Sequence, residues 1–315
     1  MLKTVLAATA ALAVLAAPAL ADYPEKPINY IIAFNAGGES DISARFQQPY
    51  FEKLAGQSVV IQYMAGAGGA QAWSQLNGMD GDGYTVMGTN LPHTILQPIE
   101  KDVGYETDDL THIHFFHYTP DAIFVPASSE FKTLQELIDY AKANPGMVTF
   151  SGSGSNSSNH LAQQRFDELT GATTTYVPFS GTGPAVTAIL GSQTTAGFNY
   201  VTSGVNNGDG MRMLAVAADE RVKAFPDVPT FKELGIDLVG GAYRGVAVPK
   251  STPEDVRVKL SEMISAINAD PAFIKQMEDA GFVLTDIPYE DIPAFMTEKK
   301  AEYRAAAEKL GIANR

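Results

Sequence analysis

The 315-residue chain contains no cysteine, which excludes disulfides, thiolate metal sites and a cysteine nucleophile. Its only imidazoles are five histidines. Basic residues are scarce, with 22 Lys+Arg against 36 Asp+Glu. That imbalance argues against nucleic acid and against an anionic membrane surface as partners. A small anionic ligand remains open, because exposed charges are screened beyond about 8 Å at physiological salt and the local site decides. Past residue 21 no stretch approaches the roughly 18 consecutive apolar residues of a membrane-spanning helix. What is present is an ordinary globular composition, 45% hydrophobic and 18% charged, long enough for one large domain or two medium ones.

The first 21 residues read as a segment outside the fold. Lys3 supplies a short positive region, "TVLAATAALAVLAAPA" an Ala-rich apolar stretch, and "ALA" at 19–21 a small-x-small cleavage site. The expectation is a secretory signal peptide over 1–21, cut before Asp22. Its removal takes away Lys3, leaving 21 Lys+Arg against 36 Asp+Glu and a formal net charge of −15.

From residue 28 strand and helix signals alternate. "INYIIAF" (28–34) is strand-like, and residues 41–56 place Ile42, Phe46, Tyr50 and Leu54 at helical spacing with Gly56 as the stop. "SVVIQYM" (58–64) and "YTVMGTN" (84–90) read as strands, with "AGAGGA" and a helix over about 70–77 between them. This order predicts a parallel sheet covered by helices. The second half repeats the pattern. A helix over 131–146 starts at Ser128 or Ser129. "MVTFSGSGSNSSN" (147–159) runs from a strand into a turn, and a helix follows over 160–171. Next come a strand over 174–179 and a helix opening at Pro184, where the missing N–H costs nothing. Residues 194–200 and 211–218 are further strands. From about 251 the chain is mostly helical, beginning with Thr252 as cap and Pro253 at the first helical position. With no low-complexity linker, the pattern predicts two α/β lobes sharing a hinge.

Four Gly/Ser-rich turns join a strand to a helix: Ala36–Asp41, Ala65–Ala70, Ser151–Asn159 and Ser180–Gly183. Such turns lie at the carboxyl ends of strands, where α/β sheets bind ligands. Each presents free N–H groups and the positive end of a helix dipole, which suits a carboxylate or phosphate. The nucleotide fingerprints are not met: "GAGGAQ" and "GSGSNS" lack the third glycine, and there is no G-x-x-x-x-G-K or G-x-S-x-G. In "HIHFFH", His112 and His114 would share one strand face, a candidate metal pair against the plainer alternative of packed imidazoles. His160, at a helix start, reads as a capping or packing residue or as a ligand contact.

Taken in order and spacing, several stretches resemble the solute-binding proteins of tripartite tricarboxylate transporters, the Bug or TctC-like family. They include "YPEKPINYIIAFNAGGESDISAR", "VVIQYMAGAGGAQAWSQL", "SGSGSNSSNHLAQQRFDELTG", "YVPFSGTGPAVTAILGSQTTAGFNY" and "YRGVAVPKSTPEDV". The resemblance implies a two-lobed type II periplasmic binding protein fold, each lobe a mostly parallel sheet flanked by helices, with the ligand cleft between. It implies lobes at 22–122 with 241–315 and at 123–240. It also implies periplasmic location, a small organic carboxylate as ligand, and delivery to the transporter's membrane permease. Neither catalysis, metal nor cofactor is expected, and a monomer is the default. The implied ligand-binding set comprises Phe34, Ala36, Gly37, Gly38, Glu39 and Asp41, then Gly66, Ala67, Gly68 and Asn90. From the distal half come Ser151, Gly154, Ser155, Asn156, His160, Ser180, Gly181, Thr182, Asn199 and Tyr200, and Arg244 completes it. Asp41 at a helix start also reads as a cap.

Three positions depart from the family pattern: Glu39, where a small or hydroxyl residue is usual, Arg244, and "FNY" at 198–200. Three readings follow. One is a carboxylate receptor in which Arg45, Arg165 or Arg244 supplies positive charge. Another is a receptor for a zwitterion or amide-bearing solute, with Glu39 on the donor group. The last is a secreted hydrolase using Ser153 or Ser155 with His160. Which way Glu39 points separates the first two.

Overall fold

The structure, a computed structural model, describes residues 23–314; the expected signal peptide lies outside them. Strand β1 (Ile28–Ile32) leads into helix α1 (Glu39–Ala55), which runs on across Pro49 and stops at Gly56. Gly56 adopts φ +61° and donates its N–H to the Glu52 carbonyl, a left-handed stop that glycine takes without strain. Strand β2 (Val59–Tyr63), the short helix α2 (Ala70–Trp73), β3 (Thr85–Leu91) and α3 (His93–Glu100) follow. Strand β4 (Thr111–Pro126) is 16 residues long and passes from one sheet into the other.

Beyond β4 come α4 (Leu134–Ala143), β5 (Thr149–Gly152), α5 (Ser158–Thr170), β6 (Thr175–Pro178), α6 (Thr182–Leu190), β7 (Ala196–Tyr200), α7 (Val201–Asn207) and β8 (Met211–Val216). The chain returns through β9 (Gly241–Val248) to α8 (Glu254–Asn268), α9 (Pro271–Asp279), β10 (Val283–Ile287) and α10 (Ile292–Lys309).

The strand order is β2-β1-β3-β9-β4-β7-β5-β6, with β8 and β10 both pairing to β4. Pairing is parallel within β1, β2 and β3 and within β5, β6 and β7. Along β9 and β4 it is antiparallel. The expected parallel units are therefore present at the outer part of each sheet. The antiparallel strands between them join the two lobes.

Each lobe has its own core. In the first, Ile28, Phe51, Trp73, Val246 and Phe273 pack on one face, and Leu91, Ile95, Phe115 and Met296 on the other. In the second, Phe150, Phe166, Phe198 and Phe231 form a ring cluster, each fully buried. Each such side chain contributes roughly 1.5–3 kcal/mol of burial.

Some helix starts differ from expectation. Helix α4 begins after Thr133, whose hydroxyl accepts the Glu136 N–H while Glu136 returns to the Thr133 N–H. Ser129 instead caps the Phe131 N–H. Helix α6 begins at Thr182, placing Pro184 inside its first turn rather than at its start. Helix α8 begins at Glu254 with no side-chain cap, and the Thr252 hydroxyl is buried without a hydrogen-bond partner.

In β4, extra residues at Ile113 and Phe116 shift the register against β9. His112 therefore pairs with Ala247 and His114 with the adjacent Val246, which places the two imidazoles on opposite faces. His112 meets Thr89, and His114 meets Ser261 and Asp286. The expectation of a shared face is overturned by that bulge. Among the described residues no group of three His, Asp or Glu is placed to hold a metal ion.

Candidate functional site

The carboxyl ends of β1 and β3 and the start of α1 meet the turns before α5 and α6 of the other lobe. In the first turn, Gly37 adopts φ +76°, and its N–H donates to Asp41 Oδ2 at 2.7 Å. Asp41 Oδ1 accepts from Arg45 Nε at 2.8 Å and from the Tyr63 hydroxyl at 2.7 Å. Both carboxylate oxygens are committed, so Asp41 closes its own turn and is not placed to meet a ligand.

Gly38 is extended and lies against the other lobe. A Cβ there would sit 3.4 Å from the Asn35 carbonyl and 3.6 Å from Gly183 N of the other lobe. Both are ordinary contact distances, so a Cβ alone fits there and only a larger side chain would reach into the seam. Across the same seam Asn35 Nδ2 donates to Ser180 Oγ at 2.7 Å, and Gly181, at φ +141°, abuts the Phe34 side chain.

Glu39 is the first residue of α1 and is 2% exposed. It does not face solvent. Thr202 of the second lobe donates its hydroxyl to Glu39 Oε2 at 2.8 Å, and Arg244 Nη2 lies 3.8 Å from Oε1. Burial pushes the Glu39 carboxyl up, opposed by Arg244 and by the Thr119 and Thr202 hydroxyls.

Arg244 sits mid-strand in β9, opposite Asn90 on one side and His117 on the other. It is 3% exposed, and its guanidinium carbon lies 4.7 Å from the centre of the Tyr200 ring. Turning the Asn90 amide so that its oxygen faces Arg244 gives an Nε–H···O bond of 2.9 Å. Burial works against the Arg244 charge, but Tyr200 and Glu39 more than offset it, so the group stays charged. Burial, reinforced by Arg244, lowers His93 to about 3, which keeps that imidazole neutral.

These groups enclose a cavity of ≈ 10 Å³, about the room one water needs. The first lobe contributes Phe34, Gly38, Glu39, Ser40, Asn90 and Arg244, and the second Ser153 and Thr182. A groove of ≈ 720 Å³ runs along the seam outside, bordered by Asn35, Gly37 and Ile42 on one side and Pro184, Thr187 and Asn206 on the other. Glu39, with Thr182, borders both spaces. At this degree of closure an organic acid enters the inner space only if the lobes part.

The family model for the "Tripartite tricarboxylate transporter family receptor", TctC, matches residues 43–312. The chain belongs to this family. A protein of Cupriavidus necator described as "UPF0065 protein in gbd 5'region" is 31% identical over 98% of this chain and 95% of its own. The periplasmic binding protein BugD is 26% identical, with a TM-score of 0.86 over 92% of this chain and 99% of that one. An R. palustris protein solved with adipate is 23% identical, with a TM-score of 0.88 over 93% and 99%. TctC proteins are periplasmic solute-binding receptors and not an enzyme family.

In this TctC-family receptor the remaining candidates divide between the cavity and its frame. Gly66, Ala67, Gly68 and Gly69 all have positive φ, and Gly68 faces Gly154 and Ser155 of the other lobe across the seam. Gly68 makes the lobe contact, and none of the four borders the inner cavity. Ala36 is exposed and lines the outer groove near Gly183. Ser151 donates to the Ala185 carbonyl beneath α6. Asn156, at φ +59°, donates to Glu100 across the seam. Asn199 accepts from the Tyr200 N–H and the Ser203 hydroxyl, fixing the start of α7.

His160 accepts the Asn156 N–H through Nδ1 and stacks on Tyr176, so it frames the turn. The Ser153 hydroxyl binds Asn159 and Tyr200 instead. Ser153 and His160 do not form a nucleophile–base pair. Arg45 pairs with Asp41, and Arg165 donates to the Val239 and Asp237 carbonyls; of the three arginines only Arg244 faces the cleft. Sequence reading missed Ser40 and Thr202. Thr202 follows a strand-to-helix junction without glycine, and so carried no turn signal.

Proposed function

We propose that this receptor captures a small organic carboxylate between its lobes and hands it to the membrane permease of a tripartite tricarboxylate transporter. In this reading residues 22–122 with 241–315 form one lobe and 123–240 the other. The mature chain starts at Asp22 after its signal peptide is removed and works as a monomer in the periplasm.

The observation that carries the reading is Arg244: a charged guanidinium buried in the seam, with Nη1 lacking a hydrogen-bond partner. A planar fork of donors suits a carboxylate. Asn90, Ser40, Ser153 and Thr182 add neutral polar groups around the same space, and the backbone N–H groups at the start of α6 add a positive dipole end. At 23% identity the adipate complex speaks for the fold alone, so the ligand class rests on these residues.

The test is a thermal-shift screen of the mature protein across mono-, di- and tricarboxylates, aromatic acids and amino acids. A true ligand at 100 times its Kd adds about 2.7 kcal/mol. The same acid should lose that effect in Arg244→Gln. Absence of any shift across the panel contradicts the reading.

A further inference from the structure

We propose that the ligand is zwitterionic: an amino acid whose carboxylate pairs with Arg244 while its ammonium pairs with Glu39. The inference rests on the carboxylate reading above and narrows it.

Glu39 and Arg244 both belong to elements of the first lobe and face the same inner cavity. Their closest approach, 3.8 Å, is too long for a hydrogen bond. Oε1 of Glu39 and Nη1 of Arg244 are both buried without a hydrogen-bond partner. Two desolvated charges that only half satisfy each other are a poor structural device, because each keeps much of its desolvation penalty. As a binding site the arrangement makes sense. Of the contacts that now cover the pair, the Thr202 hydroxyl on Glu39 and the Tyr200 ring on Arg244 come from the second lobe, while Thr119 beside Glu39 and Asn90 beside Arg244 stay with the first. Parting the lobes leaves a carboxylate and a guanidinium side by side on one wall.

A ligand head with an anion and a cation one carbon apart matches that wall. A plain dicarboxylate does not: a carboxylate placed on Arg244 lies beside the unpartnered oxygen of Glu39, and that like-charge contact selects against it. Glu39, with Thr182, borders both the outer groove and the inner space.

The experiment is isothermal titration calorimetry of the mature protein with two matched series. One is glutamate, 2-hydroxyglutarate and glutarate; the other is leucine, 2-hydroxyisocaproate and isocaproate. The expected result is that, within the series that binds, the amino acid exceeds the amine-free acid at least 10-fold. Glu39→Gln should reverse or erase that preference by weakening the amino acid and strengthening the amine-free acid. Equal or tighter binding of the amine-free acid by the unmodified protein overturns the zwitterion inference and leaves the carboxylate reading standing. Binding by none of the six, with a hydroxy or plain acid of the thermal-shift panel binding instead, likewise overturns the zwitterion inference alone. The comparison within the unmodified protein decides the matter even if the Glu39 variant fails to fold.

Discussion

The Thr202 hydroxyl donates to Glu39 Oε2 at 2.8 Å, linking the start of α7 in one lobe to the start of α1 in the other. This bond forms only when the lobes are together. A hydrogen bond to a charged group contributes about 1.5–3 kcal/mol. Thr202→Val should therefore shift the ligand-free protein toward an open form. Small-angle scattering should record a larger radius of gyration for the variant, with unchanged circular dichroism.

Gly38 offers a steric test of closure. Its backbone is extended and a Cβ would make only ordinary contacts with Gly183 and Thr182, but the γ-methyl groups of a valine reach beyond that Cβ into the seam. Gly38→Val should weaken ligand binding at least 10-fold while urea denaturation shifts by less than about 1 kcal/mol. A variant that binds normally would show that the lobes need not approach this closely.

Acid should destabilise the protein in a defined window. Burial lowers His93 to about 3 and His112 and His114 to about 4, and holds His117 well below its ordinary range. A folded pKa below the unfolded 6.5 means stability that is present above pH 6.5 and lost as pH falls. His93, His112 and His114 each lose about 2 kcal/mol between pH 6.5 and 5, and His117 acts in the same direction. Asp121, working in the opposite direction, offsets roughly one of them, and the raised Glu39 carboxyl opposes them too. Urea denaturation should record a stability lower at pH 5 than at pH 7 by on the order of a few kcal/mol.

Asp121 itself is a buried carboxyl at the point where β4 passes between the lobes. Burial raises it to about 7, against hydrogen bonds from Asn159 and Ser158. Its folded pKa lies above the unfolded 3.8, so its contribution is fully present below pH 3.8 and lost as pH rises through about 7. Asp121→Asn keeps the acceptor oxygen and removes the charge. The variant should be more stable than the parent at pH 8, with the gap closing as pH falls below 7. A constant gap across that range would contradict the assignment.

Much of the fold was legible because the signals are local. The apolar spacing of Ile42, Phe46 and Tyr50, the stop at Gly56 and the Gly/Ser turns before α5 and α6 each depend on a few neighbouring residues. The resemblance extended this to the two-lobed plan. What stayed hidden depends on partners far along the chain. The β4 bulges at Ile113 and Phe116 exist only against β9, and they decide where His112 and His114 point. Glu39 could be placed at a helix start, but its direction follows from Arg244 and Thr202. The glycines of the first two turns were read as room for a ligand, whereas Gly38 and Gly68 here lie against the other lobe, and a Cβ on Gly68 would first meet Gln97 of its own lobe.

The central claim is that Arg244 receives the ligand carboxylate. Removing it alone would leave Glu39 buried without its partner charge, so the direct measurement is calorimetric titration of the folded double variant Glu39→Gln with Arg244→Gln beside the parent. For whichever acid binds the parent, the account predicts a loss of at least 100-fold in the double variant, with the unfolding transition still cooperative. A folded double variant that binds that acid with unchanged affinity would contradict it.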